Sequence, residues 1–257
     1  MYQAERLDHI ARAVREAGRV SVRELASRFD ITTETVRRDL QALEESGVLR
    51  RVPGGAIAAG RESIVERGVG ERLEAQGTEK RRIAERAALA LVSGFTGSVL
   101  IDAGTSTGAL VDPLVRRGGE LTIVTNAVAH AAALAGREGI SLSVLGGRVR
   151  SVTGAAVGTD TVRAIERLRP DIAFVGTNAI SAGFGLSTPD ADEAAVKQAM
   201  VQAARRVIVL ADASKFDEES LTSFAALADI DVIVTDTAPS ADLAAALEEA
   251  DVEVWLA

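Results

Sequence analysis

Residues 31–56, ITTETVRRDLQALEESGVLRRVPGGA, join an amphipathic helix to a tight hairpin, and their reading decides the first domain. Val36, Leu40 and Leu43 fall at i, i+4 and i+7, one face of a helix. Thr32 or Thr33 can cap that helix, and Gly47 stops it just beyond Glu45. On a 3.6-residue period Glu34, Arg37, Arg38 and Gln41 point the other way. Arginine and glutamine on an outward face are groups that reach phosphates and base edges. On charge alone an ordinary solvated helix is the stronger reading, so the flanking residues must decide. Val48 to Val52 then reads as a strand, Pro53-Gly54-Gly55 as a turn, and Ala56 to Ala58 as a returning strand. Arg50 and Arg51 on this wing are candidate phosphate contacts.

The preceding thirty residues supply the context. Leu7, Ile10, Ala11 and Val14 repeat at helical spacing, and Gly18 closes that helix. Ser21 and Glu24, three apart, form a capping-box pattern at the start of a second helix. Val22, Leu25, Ala26 and Phe29 give its buried face, and Asp30-Ile31 makes the turn. Two short helices, a tight turn and a third helix with a polar outer face match the layout of a helix-turn-helix.

The run VSVRELASRFDITTETVRRDLQALEESGVLRRVPGGA resembles the N-terminal domain of the DeoR family of bacterial transcriptional regulators. The pattern V-R-R-D-L-x-x-L-E-x-x-G-x-L-x-R and the closing G-G-A carry the resemblance. It implies that Thr33, Thr35, Arg37 and Arg38 lie at the DNA surface. Ser21, Gln41, Arg50 and Arg51 complete the candidate set. Pro53 departs from the pattern, because many members carry histidine before the Gly-Gly. That departure is expected to alter wing contacts and not the fold.

Composition bounds the rest. The 257 residues are 47% hydrophobic but only 3% aromatic, enough for a sizeable aliphatic core. With no cysteine there are no disulfides, thiolate metal sites or cysteine nucleophiles, which suits a reducing cytoplasm. Its two histidines, His9 and His130, are not at metal-ligand spacing, and no metal or cofactor is expected. No apolar run reaches the roughly 18 residues a membrane span needs, and the N-terminus is not a signal peptide. The net charge of −8 argues against nucleic-acid binding until it is divided. Residues 1–60 hold ten arginines against nine acids, so they carry +1 and residues 61–257 carry −9. A locally basic module beside an acidic domain is compatible with DNA binding.

The sequence therefore divides into a winged helix-turn-helix at 1–58, a polar linker at 59–78 and an effector domain at 79–257. The linker is expected to be partly helical around Glu71–Ala75. Beyond Glu79, helical patterns alternate with the apolar runs GSVLID, LTIVT, ISLSVL, DIAFVG, RVIVLA, DVIVTD and VEVWL. That alternation predicts an α/β domain with a mainly parallel sheet covered on both faces. In such sheets ligands gather beyond the carboxyl ends of the strands.

Taken in order, those ends are rich in small and polar residues. Asp102-Ala103-Gly104-Thr105-Ser106-Thr107 enters a helix, where free amides and the dipole favour an anion, although plain capping explains the residues as well. Thr125-Asn126, Gly146-Gly147 and Gly176 end the next strands, and glycine there permits close ligand approach or only a tight turn. In GLSTPDADEAAVKQAM, Thr188 can cap a helix with Pro189 in its first turn, followed by Asp190. Glu193 and Lys197 stand at i and i+4, either an exposed ion pair worth about 0.3–0.5 kcal/mol or groups aimed at a sugar's hydroxyls and phosphate. Asp212 and Lys215 end the last relevant strand.

The landmarks D-A-G-T-S-T, T-N, L-G-G-R, F-V-G-T-N, T-P-D-x-x-E-x-x-V-K and L-A-D-x-S-K-F, in this order, resemble the sensor domain of the same family. The resemblance covers nearly the whole chain. It implies a fold similar to ribose-5-phosphate isomerase and the coenzyme A transferases, and a response to phosphorylated sugars. It places the phosphate at Gly104 to Thr107, with Asp102, Asp190, Glu193, Lys197 and Lys215 lining the rest. The wording F-V-G-T-N-A-I-S with G-L-S-T-P-D is similar to repressors of fructose operons and suggests fructose 1-phosphate. The expectation is thus a DNA-binding repressor, acting as a homo-oligomer (dimer or tetramer) on operator DNA. The alternative is a phosphosugar isomerase carrying a DNA-binding appendage.

Overall fold

The computed structural model describes residues 3–17, 19–45, 48–52, 54–58, 70, 75–91 and 94–257. The chain divides into two compact units, Met1–Ser63 and Ile64–Ala257. Gly18, Gly47, Pro53, the linker residues 59–69 and 71–74 with the helical stretch expected near Glu71, and the Arg50 side chain lie outside the described residues.

The first unit contains α1 (Gln3–Ala17), β1 (Arg19–Ser21), α2 (Val22–Phe29), α3 (Thr33–Glu45), β2 (Leu49–Val52) and β3 (Gly55–Ala58). Ser21 caps α2 as a full capping box: its hydroxyl accepts the Glu24 N–H at 3.1 Å, and the Glu24 carboxylate accepts the Ser21 N–H at 3.2 Å. Asp30, left-handed at φ 51°, ends that helix, and Thr32 begins the next by accepting the Thr35 N–H at 3.2 Å. Ile10, Val14, Leu25, Val36, Leu40, Leu43 and Leu49 form one core.

The wing is a three-stranded antiparallel sheet in the order β1-β3-β2. The sequence showed β2 and β3 but not β1, which at three residues is too short to display alternation. Its presence explains Gly55. A Cβ there would lie 2.0 Å from the Val20 carbonyl oxygen, so only glycine lets β3 pair with β1.

The second unit begins with α4 (Gly77–Ala88), β4 (Ser98–Ile101), α5 (Thr105–Gly108), α6 (Val111–Arg117), β5 (Leu121–Thr125), α7 (Val128–Leu134) and β6 (Ile140–Val144). Next come β7 (Arg148–Val149), β8 (Ala156–Val157), α8 (Thr159–Glu166), β9 (Ile172–Gly176), β10 (Ala179–Ser181) and β11 (Gly185–Thr188). The chain ends with α9 (Ala191–Ala203), β12 (Val207–Leu210), β13 (Thr222–Ala225), β14 (Val232–Thr235), α10 (Ala241–Glu249) and β15 (Glu253–Leu256).

The seven apolar runs read from the sequence are the seven strands of one all-parallel sheet, in the order β15-β14-β12-β9-β4-β5-β6. Side chains alternate between two cores. Leu100, Ala173, Val175, Val207 and Val209 pack toward α8, α9 and α10. Val99, Ile101, Phe174, Ile208 and Val234 pack toward α4, α6 and α7. Burial on both faces is why the central strands read as unbroken apolar runs. The strand order reverses between β4 and β9, which makes a crevice at their carboxyl ends.

Two expectations are corrected. Thr188 does not cap α9: it ends β11 fully buried, and Asp190 is the cap, accepting the Glu193 N–H at 2.9 Å. An aspartate in extended conformation reaches the third amide, whereas the Thr188 hydroxyl is held 3.0 Å from Asn178 Oδ1. Glu193 and Lys197 form no exposed pair, because both are buried and bonded elsewhere.

Candidate functional site

On α3, packing and exposure separate cleanly. Val36, Leu40 and Leu43 are buried, while Thr33, Arg37, Arg38 and Gln41 are exposed on the opposite side. Thr35 is half-buried, with its hydroxyl 2.9 Å from that of Thr32. Arg37 lies 3.4 Å from Glu34, and Gln41 donates to Glu45 at 3.0 Å. Arg38 has no ion-pair partner among the described residues. Arg51 turns back from the wing, donating to Glu44 through both its backbone N–H (2.8 Å) and its Nε (2.7 Å). These bonds hold the Glu44 carboxyl below its usual value, and they fix the wing against α3. Ser21 serves as the α2 cap.

One charged residue here was missed from sequence. Asp39, between Arg38 and Leu40, is 1% exposed and accepts both Arg6 Nε (2.6 Å) and Arg6 Nη2 (3.1 Å). The fork locks α1 to α3 and so fixes the orientation of the exposed face of α3. The hydrogen bond to Asp39 raises the Arg6 pKa. Asp39 falls beside the apolar positions of its helix, which was the available signal.

At the crevice, Asp102 is the hub. It is 1% exposed at the end of β4. Its Oδ1 accepts the Gly104 N–H (2.9 Å) and the Thr107 hydroxyl (2.5 Å), and its Oδ2 accepts the Gly176 N–H (3.0 Å) and the Lys197 ammonium. Lys197 also donates to the Gly176 carbonyl at 2.8 Å and lies 5.6 Å from the Phe224 ring. Burial pushes the Asp102 carboxyl up, but the Lys197 charge and these donors outweigh it and hold the group below its ordinary value. Gly104 is packed tightly against this hub, since a Cβ there would lie 3.1 Å from both the Asp102 carboxylate and the Thr107 hydroxyl, whereas a Cβ on Gly176 would make only an ordinary 3.6 Å contact with Asp102.

A second cluster surrounds the start of α9. Glu193, 6% exposed, accepts Arg150 at 2.6 Å and the Thr153 hydroxyl, and Arg150 also reaches Asp190 at 3.2 Å. Arg150 and Thr153 lie in the turn between β7 and β8, so these bonds pin that hairpin to the helix.

Residues 6–62 match the model of the DeoR-like helix-turn-helix domain, and residues 75–237 match the DeoR C terminal sensor domain. The chain belongs to the DeoR family of transcriptional regulators. It is 39% identical over 217 residues to the uncharacterized HTH-type transcriptional regulator FruR of Bacillus subtilis (strain 168), spanning 84% of each chain. It is 30% identical over 256 residues to the glycerol-3-phosphate regulon repressor of Escherichia coli (strain K12), spanning 100% of both. Among solved structures it is similar to ribose 5-phosphate isomerase A from Neisseria gonorrhoeae, with 14% identity and a TM-score of 0.38, over 54% of this chain and 53% of that one.

Within this DeoR-family sensor domain the remaining candidates differ in what they do. The Thr125 hydroxyl donates to the Ile101 carbonyl at 2.8 Å and accepts the Ala127 N–H, so it serves the backbone. Asn126 donates to the Ala156 carbonyl at 3.0 Å, while its buried Oδ1 has no partner. A Cβ on Gly147 would lie 2.1 Å from the Thr161 hydroxyl, which makes its close approach an internal one; Gly146 faces open space. Thr105 is half-exposed and Ser106 is 8% exposed, and by helix geometry the first amides of α5 have no intrahelical acceptor. Asp212 is 2% exposed: its Oδ1 accepts the Ser214 N–H at 3.1 Å, and its buried Oδ2 has no partner. Lys215, one turn on and half-buried, has no ion-pair partner among the described residues. His130, not at metal-ligand spacing in the sequence, is buried.

Proposed function

We propose that this chain represses a carbohydrate-metabolism operon in the cytoplasm, binding operator double-stranded DNA as a homo-oligomer and releasing it when a phosphorylated sugar, foremost fructose 1-phosphate, occupies the sensor domain. The observation that carries the reading is the union of two parts in one chain. An exposed Thr33, Arg37, Arg38 and Gln41 face stands on a winged helix-turn-helix, and a parallel α/β domain follows with its polar groups at the strand ends. Among those groups, the unpartnered Asp212 Oδ2 is an acceptor suited to a sugar hydroxyl, and Lys215 is a cation suited to a phosphate. If the sugar prefers a conformation that grips DNA poorly, DNA affinity falls by the same factor as sugar affinity falls on DNA. No helix among the described residues is long and apolar enough to cross a membrane.

The isomerase alternative meets a specific obstacle. Proton transfer between sugar carbons needs a carboxylate over the carbon acid. Both Asp102 oxygens are filled by protein donors, and Glu193 Oε1 is held by Arg150 and Thr153. The deciding test is fluorescence anisotropy of labelled DNA from upstream of this gene, at fixed salt, with a panel of phosphosugars. Tight binding released by fructose 1-phosphate supports the whole reading. Release by a different sugar replaces the effector, and sugar turnover by the purified protein reinstates the enzyme.

A further inference from the structure

One edge of the sensor sheet is bare. Between Leu121 and Gly147 the only charged side chains are Arg137 and Glu138, in a chain that is 26% charged. This stretch forms β5, α7 and the edge strand β6, with α7 packed beside β6. Val144 at the end of β6, Val149 on β7 and Val128 at the start of α7 are 55%, 50% and 51% exposed. Ser141, Ser143, Ala129, Ala132 and Ala133 are exposed with them. No proline or charge interrupts residues 139–147, so these two guards of an exposed strand edge are missing there. The opposite edge, β15, is guarded. Arg86 and Arg206 cover its Trp255 at 4.6 and 5.3 Å, and Glu253 pairs with Arg206 at 3.4 Å.

We propose that β6 seats a second copy of this chain, two β6 edges pairing antiparallel about a two-fold axis through Leu142. The inference rests on the homo-oligomer reading above and names its surface. In this register Ile140 faces the partner's Val144, and Ser141 faces the partner's Ser143. The strand start with Arg137 and Glu138 meets the strand end leading to the partner's Arg148, whose charge is already paired with Asp192 of its own chain. The occupant is a second copy for two reasons. An uncharged edge on a unit of charge −9 offers a charged partner nothing to hold, yet lets two like-charged copies approach with least repulsion. An isologous β6 contact also closes on itself as a dimer, whereas joining β6 to β15 gives a ring or an open filament and buries Arg86, Arg206 and Glu253.

The absence of cysteine makes the test clean. Facing Cα atoms in an antiparallel pair are about 4.5–5.5 Å apart, within the span of a disulfide. Full-length Leu142→Cys, oxidised, should give a covalent dimer, and Val254→Cys on β15 should not. Mixed Ser141→Cys and Ser143→Cys variants apply the same test at exposed positions. Val144→Lys should halve the sedimenting mass while circular dichroism is unchanged. A wild-type monomer overturns the proposal together with the homo-oligomer reading. An oligomeric wild type whose mass survives Val144→Lys, with no cross-link through β6, overturns the β6 proposal alone, as does a cross-link through Val254→Cys.

Discussion

Lys197 and Asp102, 95 residues apart, form a buried ion pair where the strand order of the sensor sheet reverses. The pair ties α9 to the ends of β4 and β9, because the same ammonium bonds the Gly176 carbonyl and the same carboxylate accepts the Gly176 N–H. A movement of α9 therefore reaches the crevice directly. The helix spacing that set Glu193 beside Lys197 misled for an energetic reason. An exposed i,i+4 pair contributes a few tenths of a kcal/mol. A buried charge without a partner costs several kcal/mol, so each residue is drawn to a partner on another element.

Lys197→Met should accordingly destabilise the sensor unit by about 3–5 kcal/mol, since it strands the Asp102 carboxylate. Lys197→Met combined with Asp102→Asn removes both charges and should recover most of the loss. Urea denaturation of the single and double variants checks this, and strictly additive losses would refute the pairing.

Arg38→Ala should weaken operator binding and flatten the plot of log affinity against log salt by about one, as for one lost phosphate contact. Because Arg38 is exposed and has no ion-pair partner among the described residues, the melting temperature should not move. Normal operator affinity would put the recognition face elsewhere on the unit.

Asp39→Ala should also weaken operator binding, but by another route. It leaves Arg6 unpaired between α1 and α3, at a cost of about 3–5 kcal/mol. Amide exchange should show lost protection in residues of the first unit. Retained protection with lost binding would make Asp39 a direct DNA contact instead.

Much of this was legible in the sequence, and the exceptions share a cause. The capping box at Ser21, the buried face of α3 and all seven parallel strands follow from local spacing, which a single chain displays. The partners of Asp39, Glu193 and Lys197 do not, because each lies on an element distant in sequence. The short strands β1, β7, β8 and β10 hold two or three residues, too few to show a period. Gly147 and Gly104 were visible as glycines, but not the Thr161 hydroxyl and the Asp102 carboxylate that crowd them.

Asp212→Asn separates ligand recognition from folding. The substitution keeps the oxygen that caps Ser214 and changes the unpartnered one from an acceptor to a donor. Stability should change by less than about 1 kcal/mol, whereas sugar-induced release of DNA should fall at least tenfold in sugar potency, about 1.4 kcal/mol. An unaltered sugar response would remove Asp212 from the site.

His130 sets the acid limit of the sensor unit. It is 9% exposed, its Nδ1 has no partner, and its Nε2 lies 2.7 Å from where a Cβ on Gly108 would stand. Burial holds its pKa below the ordinary histidine value despite the opposing Asp102 charge. The unfolded chain therefore takes up a proton near pH ~6.5 while the folded protein still excludes it. The stability that a neutral His130 contributes is complete above that value and is lost as the pH falls toward the depressed folded-state pKa, by up to about 1.4 kcal/mol per pH unit. The Asp102 contribution has the same sign but lies lower, lost only below the ordinary carboxylate range. His130→Gln should thus flatten the denaturation midpoint between about pH 7 and about pH 5.5 and leave the decline below about pH 4 intact. Parallel curves for wild type and variant across the upper window would assign the acid sensitivity to other groups.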